Sequence, residues 1–125
     1  MKHIINTSKA PAPIGPYNQA VLADNTLYIS GQIPINPETN QLIIQSIKAQ
    51  IKQVMENIRQ ILLETNMDFS NVVKTSIFIT DMQYFSEVNE VYGTYFSKNF
   101  PARETVQVSK LPKNVDVEIS MIAIK

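Results

Sequence analysis

Cysteine is absent from the 125-residue chain. Its absence removes disulfides, thiolate metal sites and cysteine nucleophiles together, and fits a reducing compartment. Histidine occurs once, as His3 near the terminus. One imidazole and no thiol do not assemble a zinc site, and a serine–histidine triad has no support. The three glycines, Gly15, Gly31 and Gly93, stand too far apart for a phosphate-cradling loop. Net charge is lacking too, because eleven Lys and Arg balance eleven Asp and Glu. Without a basic field, or a basic cluster interleaved with aromatics, the chain has little of what a general nucleic-acid binder uses. No apolar run approaches the ~18 residues of a membrane span. The start, Met1-Lys2-His3-Ile4-Ile5-Asn6, lacks the ~7–15-residue apolar stretch of a secretory signal. The expectation is a soluble, cytoplasmic protein with no membrane partner.

What is present is globular composition, 44% hydrophobic and 18% charged. The length suits one domain spanning residues 1–125, able to bury roughly two-thirds of its unfolded surface. The segment Ala10-Pro11-Ala12-Pro13-Ile14-Gly15-Pro16 excludes helix and central strand, so it is read as an extended loop that delivers Tyr17 to a fixed place. Strands are expected over Tyr17–Ala23 and Thr26–Gly31, joined at Asp24-Asn25, with a short strand near Gln41–Ile44. Apolar residues at Ile47, Ile51, Val54, Ile58, Ile61 and Leu62 trace one helix face over Ser46–Thr65. On its other side Lys52 and Glu56 stand four apart and can pair, and Arg59 reads as solvated.

Asn71–Thr80 alternates with apolar groups on both sides and reads as a central strand. Asp81 then caps a second helix running to about Lys98, in which Gly93 suggests close packing. Strands Arg103–Ser109 and Val115–Ile124 complete the chain. Paired as a hairpin, they place Arg103 and Glu118 on one sheet face. The order predicts an α+β fold, two helices on one face of a mixed sheet. The other face would stay uncovered, so self-association is expected to bury it.

The chain has only two arginines. Arg103 follows Pro101-Ala102 at a strand start, on a face otherwise short of positive charge. Two readings stay open: a structural salt bridge, with Glu118 as its partner, or a guanidinium fork that grips a carboxylate. Tyr17 is an aromatic plug or a binding group. Gly31 is a turn glycine or a place where a ligand meets bare backbone. Asn89 sits among apolar neighbours on the second helix. Asp116 and Glu118, two apart on a strand, read as surface charges.

The segments Ile14-Gly15-Pro16-Tyr17-Asn18-Gln19-Ala20, Ser30-Gly31-Gln32-Ile33-Pro34, Val88-Asn89-Glu90-Val91-Tyr92, Pro101-Ala102-Arg103 and Leu111-Pro112-Lys113-Asn114-Val115-Asp116-Val117-Glu118-Ile119, in that order, resemble the RidA/YjgF family of reactive intermediate deaminases. The resemblance implies a chorismate-mutase-like fold and a homotrimer with a central β-barrel core and sites between subunits. It implies hydrolysis of 2-imino acids (2-iminobutanoate, 2-iminopropanoate) and their enamines to 2-keto acids and ammonia, without a cofactor or metal. By the same resemblance, Arg103 clamps the substrate carboxylate, Glu118 positions or activates water, and Tyr17 is a catalytic-site tyrosine. Ser30, Gly31, Asn89 and Thr105 line the site. Glu104-Thr105 stand where many relatives have Ser-Cys, and Thr105 retires any thiol mechanism. Glu104 adds a negative charge whose field could weaken anion binding. Two alternatives stand beside this reading. One is a non-catalytic keto-acid-sensing regulatory module using the same arginine. The other is an RNA-acting translation inhibitor, which the balanced charge argues against.

Overall fold

The computed structural model describes all 125 residues. Eight strands and two helices follow in the order β1 (Lys2–Ile5), β2 (Ala20–Ala23), β3 (Thr26–Gln32), β4 (Ile35–Asn36), β5 (Gln41–Leu42), α1 (Ile47–Leu63), β6 (Val72–Ile79), α2 (Phe85–Gly93), β7 (Ala102–Gln107) and β8 (Val117–Ile124). Six strands form one sheet in the order β1-β2-β3-β8-β6-β7, while β4 and β5 make a separate two-stranded ribbon. All neighbours in the main sheet are antiparallel except β6 and β7. Both helices lie on one face, the expected α+β architecture.

The long helix forms where its apolar stripe predicts. Ser46 caps it by accepting a hydrogen bond from the Ala49 N–H at 3.1 Å, supplying a partner that the first turn otherwise lacks. Ile47, Ile51, Val54, Met55, Ile58, Ile61 and Leu62 are buried against Leu27, Ile29, Ile77, Ile79, Val117, Ile119, Met121 and Ala123 of the sheet. Each such side chain contributes about 1.5–3 kcal/mol on burial. Two amides share the stripe. Asn57 donates to the Ile35 carbonyl at 3.0 Å, and Gln50 to the Asp116 carboxylate at 3.0 Å. Both tie loops to the helix.

The last two strands do not form the expected hairpin. β8 inserts between β3 and β6, and β7 lies at the sheet edge, parallel to β6. The physical reason is composition. Alternate residues of β8, from Val117 to Ala123, are at most 2% exposed, so this strand takes a central place. β7 reads Ala-Arg-Glu-Thr-Val-Gln, and charged strands suit edges, where they discourage further pairing. The parallel connection needs a crossover, which α2 provides.

Other details differ as well. β1 was not foreseen. It pairs with β2 as an edge strand, with Ile4 opposite Val21. The second helix ends at Gly93, where the Thr94 hydroxyl donates to the Val91 carbonyl at 2.6 Å. A Cβ on Gly93 would meet nothing within 4 Å, so close packing does not explain that glycine. Asp81 caps a short 3-10 turn, Met82–Tyr84, that leads into α2. Lys52 does not pair with Glu56. That carboxylate instead accepts from the Tyr95 hydroxyl at 2.7 Å and lies 3.7 Å from Arg59. Arg59 is only half-exposed, set over the rings of Phe69 and Tyr95.

The sheet face away from the helices is uncovered, as expected. One row across it reads Ile4, Val21, Tyr28, Ile122, and a second reads Glu118, Phe78, Val106. Ile4 and Tyr28 are 48% and 50% exposed.

Candidate active site

Arg103 stands on edge strand β7 opposite Thr75 of β6. Thr75 is fully buried and opposite Met121, so this register position faces the helices. The guanidinium therefore reaches toward α2. Its Nη2 donates to Asn89 Oδ1 at 2.6 Å. Its Cζ lies 5.0 Å from the Tyr92 ring centroid and 5.5 Å from that of Phe85, within cation–π range. Phe85, Asn89 and Tyr92 follow at helical spacing, so one face of α2 forms the cradle. The Tyr92 hydroxyl donates to Thr75 Oγ1 at 3.0 Å. Burial pushes that phenol up, while the Thr75 bond and Arg103 pull it back.

The salt-bridge reading of Arg103 fails. The four ion pairs are the N-terminus with Asp24, Lys48 with Glu90, Arg59 with Glu56, and Lys74 with Glu104. None includes Arg103. One neutral acceptor holds it, and a cleft of about 330 Å³ opens beside it, lined by Asn89, Tyr92, Gly93, Phe100, Pro101 and Arg103. Thr105, two residues along β7 and so on the same face, carries a buried hydroxyl with no partner. An unpaired buried polar atom costs about 1–3 kcal/mol unless something outside the protomer satisfies it.

Glu118 does not join Arg103, which corrects the expectation of a shared face. It stands on β8 opposite Phe78, three residues along β6 from Thr75. An odd separation along a strand means the opposite face. Glu118 therefore belongs to the uncovered side, where burial pushes its carboxyl above the ordinary range.

Gly31 lies with Glu118, and Tyr17 borders a recess that Gly31 also lines. Between Ile29 and Gln32 the β3–β8 register slips, so Ser30-Gly31 bulges. The Glu118 carboxylate lies against Gly31, and a Cβ there would collide with its Oε2 and come within 2.7 Å of its Cδ. The bare backbone thus accommodates the chain's own carboxylate. Ser30 Oγ donates to the Asn18 carbonyl at 2.7 Å, which holds the bulge against the preceding loop. Tyr17 and Gly31 line one small recess together with Gln19 and Ile33. The Tyr17 hydroxyl accepts from the Ile14 N–H at 3.3 Å, and the residue is 45% exposed.

Gln19, which nothing but its place in a motif marks in the sequence, ties the proline loop together. It is 2% exposed, and its Nε2 faces the carbonyls of Thr7, Ala10 and Pro11 at 3.0, 3.1 and 2.8 Å. Its Oε1 accepts from the Thr7 N–H at 2.6 Å. The proline loop is ordered because one amide serves its backbone. Glu104 is answered on its own face. Lys74 lies 2.8 Å away and Ser76 donates to it, bonds that lower its pKa and leave little free charge near Arg103.

One chain thus carries two clusters of the candidate residues on opposite faces of a single layer. An unpaired arginine with amide and aromatics forms one; a half-buried carboxylate with a tyrosine and a bared glycine forms the other. The chain belongs to the Endoribonuclease L-PSP family, whose model matches residues 7–125, the family in which the RidA/YjgF proteins fall. Among its relatives is the 2-iminobutanoate/2-iminopropanoate deaminase of Homo sapiens, 46% identical over 125 residues that cover 100% of this chain and 91% of that one. A Rid-family protein of unknown function from Yersinia pestis superposes with a TM-score of 0.97 at 48% identity, covering 100% of both chains. TdcF from E. coli, solved with bound serine, gives a TM-score of 0.94 at 36% identity and 98% coverage of each chain.

Proposed function

We propose that this protein hydrolyses 2-imino acids, 2-iminobutanoate and 2-iminopropanoate among them, to 2-keto acids and ammonia. In this reading each working site joins the Arg103 half of one copy to the Glu118 half of the next, in a homotrimer. The observation that carries it is the Arg103 guanidinium, free of any carboxylate and set beside an open cleft. A deaminase relative and a serine-bound relative support a small amino-acid-like ligand.

The chemistry follows from the groups. Arg103 takes the substrate carboxylate through two parallel N–H donors, a geometry lysine lacks. Asn89 and the two rings hold it in place, and Thr105 offers one more polar contact. The protonated imine is already electrophilic at C2. Glu118 accepts a proton from water as the oxygen adds to C2, and the C=N electron pair moves to nitrogen. The carboxyl returns that proton to nitrogen; the carbinol O–H then gives its proton to the Glu118 carboxylate as its electrons form the C=O bond and the C–N bond breaks, and that proton passes to the departing ammonia, so the carboxylate is regenerated. The Tyr17 hydroxyl has an O–H free to hydrogen-bond the carbinol oxygen. Orientation is the larger effect, and the acid–base step adds about 10²–10⁴-fold.

The test is subunit complementation beside a dehydratase that releases 2-iminobutanoate. Arg103→Ala and Glu118→Ala proteins should each lose the acceleration of 2-oxobutanoate release. Mixed and reassembled, they should regain part of it, because some clefts then hold a native arginine and a native glutamate. Wild-type protein that fails to accelerate release overturns the deaminase reading. Single variants that are inactive alone and stay inactive when mixed overturn the shared site.

A further inference from the structure

The Arg103 guanidinium offers five N–H donors and has one protein acceptor, Asn89 Oδ1. One bond does not set the plane of the group. The two rings do more. Tyr92 is the nearer, and its position is fixed from an unexpected direction. Its ring is 4% exposed, and its hydroxyl crosses the core to Thr75, which is 0% exposed. Thr75 is also the direct register partner of Arg103. A closed circuit results: from β6 through Thr75 to the Tyr92 ring, from the ring to the guanidinium, and back along β7 to the same register position.

Packing alone does not ask for this arrangement. A Phe and a Val would fill the same space without two polar groups to satisfy, and replacing both partners of a buried hydrogen bond by apolar isosteres is close to neutral for stability. The hydroxyl pair does one thing such isosteres would not: it fixes the height and tilt of the ring beneath the cation. We infer that Tyr92, tethered by Thr75, is a positioning residue that orients the Arg103 guanidinium before any ligand arrives. What the clamp receives rests on the deaminase reading. The positioning does not, since it is a property of the empty protein.

Two variants test it. Tyr92→Phe combined with Thr75→Val removes the tether and keeps the packing; Tyr92→Leu removes the ring. The first readout is the 15N order parameter of the Arg103 Nε–Hε group in unliganded protein, which a purely structural tyrosine would not move. Wild type should be ordered, the double variant less so, and Tyr92→Leu disordered. The second is the dissociation constant for 2-oxobutanoate, expected to rise about threefold in the double variant and about tenfold in Tyr92→Leu. An order parameter unchanged in the double variant overturns the tether, and that variant decides the matter should Tyr92→Leu not fold. A mobile Arg103 in wild type overturns the positioning outright, whatever the activity. An ordered Arg103 without turnover leaves the positioning in place and removes only the deaminase reading.

Discussion

Gly31→Ala is the most economical probe of the carboxylate half. The backbone there is not left-handed, so alanine is conformationally free to enter. What it meets is Glu118. The new methyl would collide with Oε2 and lie 2.7 Å from Cδ and 3.0 Å from Cγ. Ordinary carbon contacts begin near 3.5 Å, so the carboxylate must retreat by about 1 Å. The far end of a half-buried glutamate can swing away, which keeps the folding cost to about 1 kcal/mol, the low end for overpacking. Catalysis is less forgiving. A displacement of that size costs about 10²-fold when the group must meet a reacting atom. In the dehydratase-coupled assay, kcat/KM should fall about 10²-fold while the thermal midpoint moves by only a few degrees. The decisive control is the double variant. With Glu118→Ala already present, the added methyl has nothing to displace, and Gly31→Ala should be silent. Full activity in the single variant, or a further loss in the double, refutes the reasoning.

Three more outcomes follow from the same geometry. Asn89→Asp turns the neutral acceptor on Arg103 into an ion-pair partner that competes with the substrate carboxylate; KM should rise about tenfold with kcat little changed, read from initial rates. Glu118 has a raised pKa, so the fold favours its neutral form and the unfolded chain ionises first as pH rises. Its contribution to stability therefore falls between the ordinary value of 4.5 and the raised one, and Glu118→Gln should flatten that part of a stability-against-pH curve. The acid limb of the wild-type rate profile should sit above 4.5. Gln19→Leu strips the proline loop of its shared amide and should cost at least about 2 kcal/mol in denaturant unfolding, with limited proteolysis cutting near residues 10–16.

Much of the scaffold was readable because its signals are local. The stripe of α1, the Asp24-Asn25 turn and the alternation of β6 all lie within short windows. The neighbour of β7 was not readable, because alternation assigns residues to the two faces of a strand and says nothing about which strand lies alongside. That one gap reversed the relation of Arg103 to Glu118, although the parity within each strand was right. β1 was missed for a related reason: Lys2-His3-Ile4-Ile5 is a half-polar edge with only one neighbour. At the site, Arg103 stood out by scarcity and Asn89 and Tyr17 by resemblance. Phe85 and Tyr92, which did not stand out in the sequence, are the rings under the guanidinium. The available signal was their spacing with Asn89 on one helix face. Gln19 gave none, since a buried amide that gathers loop carbonyls looks like any other glutamine in one dimension.

In the proposed reading the anion-gripping groups lie, Thr75 apart, within a single continuous stretch, Phe85 to Thr105, on the crossover between two parallel strands and the strand it leads into. In the same reading the water-handling groups are scattered from Tyr17 to Glu118. The first is therefore a portable cassette. A short graft from helix to edge strand should be enough to retune which acid is held while the water-handling parts remain native, and selection has the same unequal freedom over the two.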